Sequence, residues 1–257
     1  MLACLGVLSF QVRSGWSKRA PVRGANLPGW GVFVRAGLRY DSGMVKAVIF
    51  DMDGVLLDTE SVCKVCWNRA AEEFGIEGIG EAYSECVGQN TADTLVVLEK
   101  YCGNIVSPKV FYDRTGELFH EIERSEGLSL MPHVVECLGA LSSRGIRLAL
   151  ASSTRRESVV RQLAAAGIIG YFETITTGDT VAHSKPAPDI YLSSLSSLSL
   201  GADECIAVED SPNGVRSATG AGIRCVMVPD QIQPSEEISA LAFAVVTSLK
   251  EVPNLIK

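Results

Sequence analysis

The chain has 257 residues and a formal net charge of −7, with 30 Asp and Glu against 23 Lys and Arg and 47% hydrophobic residues. That length suits one sizeable core or two small domains. The first 40 residues carry a net +6, which leaves −13 on the rest; so acidic a body excludes nucleic acid as its partner, and no apolar run is long enough to cross a membrane.

Residues 1–43 contain Asp41 as their only acid, six Arg and Lys, and a scatter of Gly, Pro and Trp. Met44 stands directly before the first strand-like run, so 1–43 reads as an extension: either outside the native chain, with Met44 as the first residue, or a disordered tail. The alternative is an organelle peptide. Leu2 to Phe10 is apolar but lacks a preceding basic residue and a small-residue cleavage site. Apart from that alternative, the expected compartment is the cytoplasm, since the eight cysteines are scattered within apolar stretches and suit reduced, buried thiols.

Residues 46–50 form a buried parallel-strand pattern, and Val48-Ile49-Phe50-Asp51-Met52-Asp53-Gly54 ends it in two carboxylates and a glycine. In an extended stretch Asp51 and Asp53 point the same way, at the strand end where open α/β sheets bind ligands. Acids are rarely buried without a partner, so the pair implies a cation or a reacting group between them.

The next strand pattern that ends in chemistry-bearing residues, Ile146 to Ala151, lies about a hundred residues on, far more than one crossover needs. A separate module, 59–129, therefore sits between, and it reads as helical. Glu60 to Phe74 places Val62, Cys66, Ala70 and Phe74 at steps of four and stops at Gly75. Thr91 to Cys102 aligns Leu95, Leu98 and Cys102. Ser107-Pro108 opens a third helix with Val110, Leu118 and Ile122 as its buried stripe. Cys63 and Cys66 form a CxxC on a helix with no second pair, and His120, His133 and His183 fit no ligand spacing.

The rest, 130–257, alternates strands and helices. Ile146 to Ala151 ends in Ser152, Ser153 and Thr154, whose hydroxyls and backbone N–H groups suit an anion, although Ser152 taken alone reads first as a cap for the helix from Arg155. Glu173 to Thr177 precedes Lys185-Pro186-Ala187-Pro188. Cys205 to Val208 ends in Glu209 and Asp210, followed by the turn-forming Ser211-Pro212-Asn213-Gly214. Residues 224–228 form another strand pattern, and Phe243 to Val246 adds an edge. With 44–58 these make a Rossmann-like α/β core, a parallel sheet covered by helices on both sides, carrying 59–129 as an inserted cap.

In this order the motifs Asp51-Met52-Asp53-Gly54, Ser152, Lys185 and Glu209-Asp210 resemble those of the haloacid dehalogenase superfamily of phosphohydrolases, in the small helical-cap branch that includes β-phosphoglucomutase; the likeness covers Val45 to Lys257. The resemblance implies that Asp51 is the nucleophile, forming an aspartyl-phosphate, and that Asp53 is the general acid and later the base. It implies Mg²⁺ on Asp51, the backbone carbonyl of Asp53, Glu209 and Asp210, with Glu209 also readable as a brace for its loop. Ser152, Ser153 and Lys185 would hold phosphoryl oxygens.

Two positions depart from the mutase pattern: Cys63 stands where the mutase has a histidine, and Thr91 where it has a phosphate-gripping arginine. The resemblance therefore implies a Mg²⁺-dependent phosphatase acting on a small phosphorylated metabolite, a sugar or polyol phosphate. Alternatives are a phosphosugar mutase, with Arg114 or Lys109 supplying the missing charge, and a non-catalytic phosphate-binding regulator. Thr59, Cys63, Gln89, Asn90 and Arg114 are the specificity candidates. A monomer or weak homodimer is expected, with neither nucleic acid nor membrane as partner.

Overall fold

The computed structural model describes residues 33–34, 44–86 and 91–256. Strands β1 (Phe33–Val34), β2 (Ala47–Phe50), β3 (Arg147–Ser152), β4 (Thr174–Thr177), β5 (Cys205–Glu209), β6 (Arg224–Met227) and β7 (Ala244–Val245) form one sheet in the order β1-β7-β6-β5-β2-β3-β4. The pairings among β2 to β7 are all parallel, in line with the expected fold class. The sequence reading left 1–43 outside the core, yet β1 pairs antiparallel with β7 there. The edge of β7 offers unpaired backbone groups, and an apolar Phe-Val dipeptide suits that place.

Alternation along the strands splits the sheet's side chains between two cores. Val48, Phe50, Leu148, Leu150, Ile206 and Val208 belong to one, and the smaller Ala47, Ile49, Ala149, Ala151, Cys205 and Ala207 to the other. Complete burial of each large aliphatic or aromatic side chain contributes about 1.5–3 kcal/mol.

Residues between β2 and β3 supply helices α1 (Thr59–Phe74), α2 (Ile79–Cys86), α3 (Thr91–Cys102), α4 (Pro108–Glu126) and α5 (Val134–Ser143). Asp58 caps α1 by accepting from the Ser61 N–H, and Gly75 ends it in the left-handed conformation. Ser107 caps α4, with Pro108 in its first turn. Helices α1 to α4 share a core of their own, centred on Trp67, which meets Tyr83 and Phe111 edge-on at 5.3 and 5.6 Å. The buried stripe of α4 is Phe111, Thr115, Leu118 and Ile122. Val110, expected in that stripe, is 49% exposed, because the helical period through Leu118 and Ile122 falls on its neighbour Phe111.

The two segments that join helices α1–α4 to the rest of the chain pair with each other. Asp58 N–H donates to the Ser129 carbonyl at 2.9 Å, and Met131 N–H to that of Leu56 at 2.9 Å. Beyond them, α5 and α6 (Arg156–Ala165) pack on the face bearing Phe50, while α7 (Asp189–Leu198), α8 (Pro212–Gly220) and α9 (Glu236–Leu241) cover the other; α10 (Val252–Leu255) follows near the described end of the chain. Because the chain leaves β2 for β3 on one side and later reaches β5 on the other, a crevice opens at the carboxyl ends of these three strands.

Candidate active site

Asp51 leaves β2 directly and is held by its N–H bond to the Val208 carbonyl at 2.9 Å. Three residues on, the backbone turns at Gly54, whose φ is +73° and whose absent side chain makes room for Asp210: a Cβ there would stand 2.5 Å from Asp210 Oδ2. Ser152 ends β3 and Glu209 ends β5, so neighbouring strands deliver all these groups to one place.

Lys185 arrives from the loop before α7, through a cis peptide bond to Pro186. Its ammonium donates to Asp51 Oδ1 at 2.5 Å, Glu209 Oε1 at 2.7 Å and the Ala151 carbonyl at 3.1 Å, which uses all three of its protons. A phosphoryl oxygen would have to replace one of these acceptors. Although buried, Lys185 is held above its ordinary pKa by the two carboxylates.

Asp53 stands in a different environment. Thr154 Oγ1 donates to its Oδ2 at 2.9 Å, and Ser152 Oγ stands 3.4 Å from the same atom while accepting from the Thr154 N–H at 3.1 Å. Burial, and then the charge of Asp51, raise the Asp53 carboxyl to about 6, against the pull of the Thr154 and Thr59 hydroxyls and of Lys185. Ser152 is thus turned to Asp53, and Ser153 lines the cleft. The sequence reading counted Thr154 among hydroxyls suited to an anion; the structure gives it to Asp53.

Among the described residues, Asp51, Glu209 and Asp210 are the one group of potential metal ligands close enough to share an ion, each offering an oxygen within 4.8 Å of the others. Burial, offset in part by Lys185, raises Glu209 to about 7, and burial with Asp51 and Glu209 raises Asp210 well above the carboxylate range. An all-oxygen donor set under mutual repulsion, with Glu209 Oε2 buried and unbonded, fits a hard divalent cation.

The cleft, of about 700 Å³, is lined on the sheet side by Asp51, Asp53, Lys185 and Asp210, and by Glu60 of α1 and Thr91 and Asp93 of α3. Glu60, which the sequence reading passed over, accepts from the Tyr83 hydroxyl at 2.5 Å. Its signal was its place in the first turn of α1, beside the crossing. Thr59 is buried beside Asp53, and its hydroxyl helps to draw that carboxyl down; Cys63 is half-buried beside Asp53 and Glu60, its thiol pushed up by burial. Gln89 and Asn90 lie outside the described residues. Arg114 does not line the cleft: it forks onto Glu73 at 2.7 and 2.8 Å and also binds Glu117 and Glu121. A larger depression, about 1080 Å³, follows the α1–α2 turn but holds carboxylates with no Lys, Arg or His among its lining residues.

The family model described as haloacid dehalogenase-like hydrolase matches residues 48–228, from β2 past the end of β6. The chain belongs to that family. Among the relatives of this hydrolase, Protein CbbY of Rhodobacter capsulatus is 34% identical over 207 residues, 76% of this chain and 90% of that protein. A phosphorylated carbohydrates phosphatase of Thermotoga maritima is 31% identical over 214 residues, 83% and 99% of the two chains. The crystal structure of Rhodobacter sphaeroides CbbY with xylulose-(1,5)bisphosphate superposes with a TM-score of 0.67 at 28% identity, covering 81% of this chain and 96% of that one. The family resemblance read from the motifs is thereby borne out, and the protein is a hydrolase of phosphatase type.

Proposed function

We propose that this hydrolase is a Mg²⁺-dependent phosphatase of a small phosphorylated metabolite, a sugar or polyol carrying a single phosphate, acting through an aspartyl-phosphate on Asp51. The observation that carries this reading is the separation of the two aspartates: Asp51 lies with Lys185 and the Glu209-Asp210 pair, while Asp53 is held apart by Thr154.

Asp51, Glu209 and Asp210 would hold the cation, whose chemistry is to offset charge on the phosphoryl oxygens. Lys185 adds a fixed positive charge against Asp51, so that an anionic nucleophile and an anionic ester can meet. An Asp51 oxygen bonds to phosphorus as the bond to the alcohol oxygen breaks, and the Asp53 proton passes to that oxygen. Asp53, now a carboxylate, takes a proton from water as the water oxygen attacks phosphorus and the bond to Asp51 breaks. A raised pKa suits Asp53 to both roles.

The charge of the cap face supports a single phosphate. A bisphosphate, or the turning intermediate of a mutase, needs a cation at the far end of the cleft; Glu60 and Asp93 present carboxylates there instead. Arg114 is committed to three glutamates, and Lys109 pairs with Asp113 at 2.6 Å. Hydroxyls of a sugar or polyol suit these acceptors.

Phosphate release from a panel of sugar phosphates, with and without Mg²⁺, tests the reading, with Asp51→Asn as control and β-glucose 1-phosphate plus a bisphosphate primer run alongside. Metal-dependent release lost in Asp51→Asn is expected. Isomerisation without net release would make the protein a mutase, and silence in both assays would favour a non-catalytic role.

A further inference from the structure

Tyr191, on α7, is a fully buried side chain that the proposed chemistry does not use. Its hydroxyl donates to Glu209 Oε1 at 2.6 Å, the oxygen that also takes the Lys185 ammonium at 2.7 Å. Its ring lies below that ammonium, with the centroid 5.4 Å from Nζ. One oxygen of Glu209 is therefore saturated by two donors.

The other oxygen, Oε2, is buried with no hydrogen-bond partner. It rests against Gly214 in the first turn of α8, where a Cβ would come within 1.8 Å of it. Leaving a carboxylate oxygen bare inside a protein is costly, so an arrangement that spends both available donors on one oxygen keeps the other for a ligand. Rotating the carboxylate would break the Tyr191 bond, and the backbone of Gly214 lies close on the far side.

We propose that Tyr191 is a positioning residue of the metal centre, whose hydroxyl pins Glu209 Oε1 and so keeps Oε2 available for the cation. This rests on the metal-dependent reading above. The role differs from core packing, because the ring alone would fill the space. Bonds that orient metal ligands are commonly worth about 10–100-fold in metal affinity.

The test is equilibrium Mg²⁺ binding to the whole chain by calorimetry without substrate, for wild type, Tyr191→Phe and Ser194→Ala, with thermal melts in EDTA. Ser194 lies one turn along α7 and spends its hydroxyl on Thr176 at 2.9 Å, so it controls for general loosening of the helix. Tyr191→Phe is expected to raise the Mg²⁺ Kd about 10-fold with a melt in EDTA close to wild type, and Ser194→Ala to leave Kd unchanged. Equal Kd for wild type and Tyr191→Phe, an equal loss in Ser194→Ala, or a Tyr191→Phe protein that melts far below wild type in EDTA would each overturn the assignment. Wild-type protein that binds no Mg²⁺ would instead remove the metal centre itself, and Tyr191's role with it.

Discussion

Arg161 on α6 and Glu123 on α4 tie the two helices together near the end of α4 at Gly127, and cutting that tie is expected to cost both stability and catalysis. Arg161 Nε and Nη2 each stand 3.0 Å from one Glu123 oxygen, and His120 Nδ1 lies 3.1 Å from Oε2. The arginine side chain is 43% exposed and the glutamate 7%. Exposed pairs give at most about 1 kcal/mol and hydrogen bonds to charged groups about 1.5–3, so a fork with one buried partner should couple by about 1–2 kcal/mol. A double-mutant cycle of Arg161→Ala and Glu123→Gln, read by urea denaturation, measures this directly. Although burial pushes the Glu123 carboxyl up, Arg161 and His120 outweigh it and hold it below its ordinary value. A depressed folded pKa means that the stabilisation is complete above the unfolded glutamate value of about 4.3 and is lost as pH falls through the lower folded value. The coupling should therefore persist at pH 7 and fade only in acid. Because the pair joins α4 to α6, kcat and KM should shift together in Arg161→Ala if the helices between β2 and β3 close over the cleft. A coupling below about 0.3 kcal/mol at pH 7 would refute the reasoning.

Three further outcomes are expected. Gly214→Ala forces a methyl group within 1.8 Å of Glu209 Oε2; it should destabilise the fold by about 1–3 kcal/mol in thermal melts and weaken Mg²⁺ binding, and unchanged Mg²⁺ affinity would contradict the cradle. Thr91→Arg places a cation on the acidic cap face of the cleft and should raise the kcat/KM ratio of a sugar bisphosphate over its monophosphate about 10-fold, a gain of about 1.4 kcal/mol; no change would mean that the far end of the substrate does not meet this face. Asp53→Asn should lower kcat about 10²–10⁴-fold in steady-state assays while retaining Mg²⁺ binding, and near-normal turnover would dismiss it as the acid.

The sheet was legible because its central strands are buried on both faces: β2 and β5 are unbroken apolar runs that end in acids, and the motif residues follow their strand ends. Helices α1 and α4 announced themselves through Asp58, Gly75 and the Ser107-Pro108 start. Helix α2 did not, since eight residues flanked by Gly78 and carrying Gly80 give too few turns for a periodic signal. Val110 shows the limit of phase: a stripe read one position early puts a valine in solvent. Side-chain allegiance was harder still. Arg114 is the partner of Glu73, 41 residues earlier, and Tyr191 on α7 spends its hydroxyl on a glutamate at the end of β5. Such pairings arise only when distant elements meet, and nothing in local spacing encodes them.

The most direct test of Asp51 as nucleophile is mass spectrometry of wild-type protein quenched in acid during steady-state turnover with Mg²⁺ and its best monophosphate substrate. The expected result is one phosphoryl group on the peptide that carries Asp51, absent from Asp51→Asn protein and from samples without Mg²⁺. Steady phosphate release with no adduct on that peptide, and with turnover retained in Asp51→Asn, would contradict the aspartyl-phosphate route.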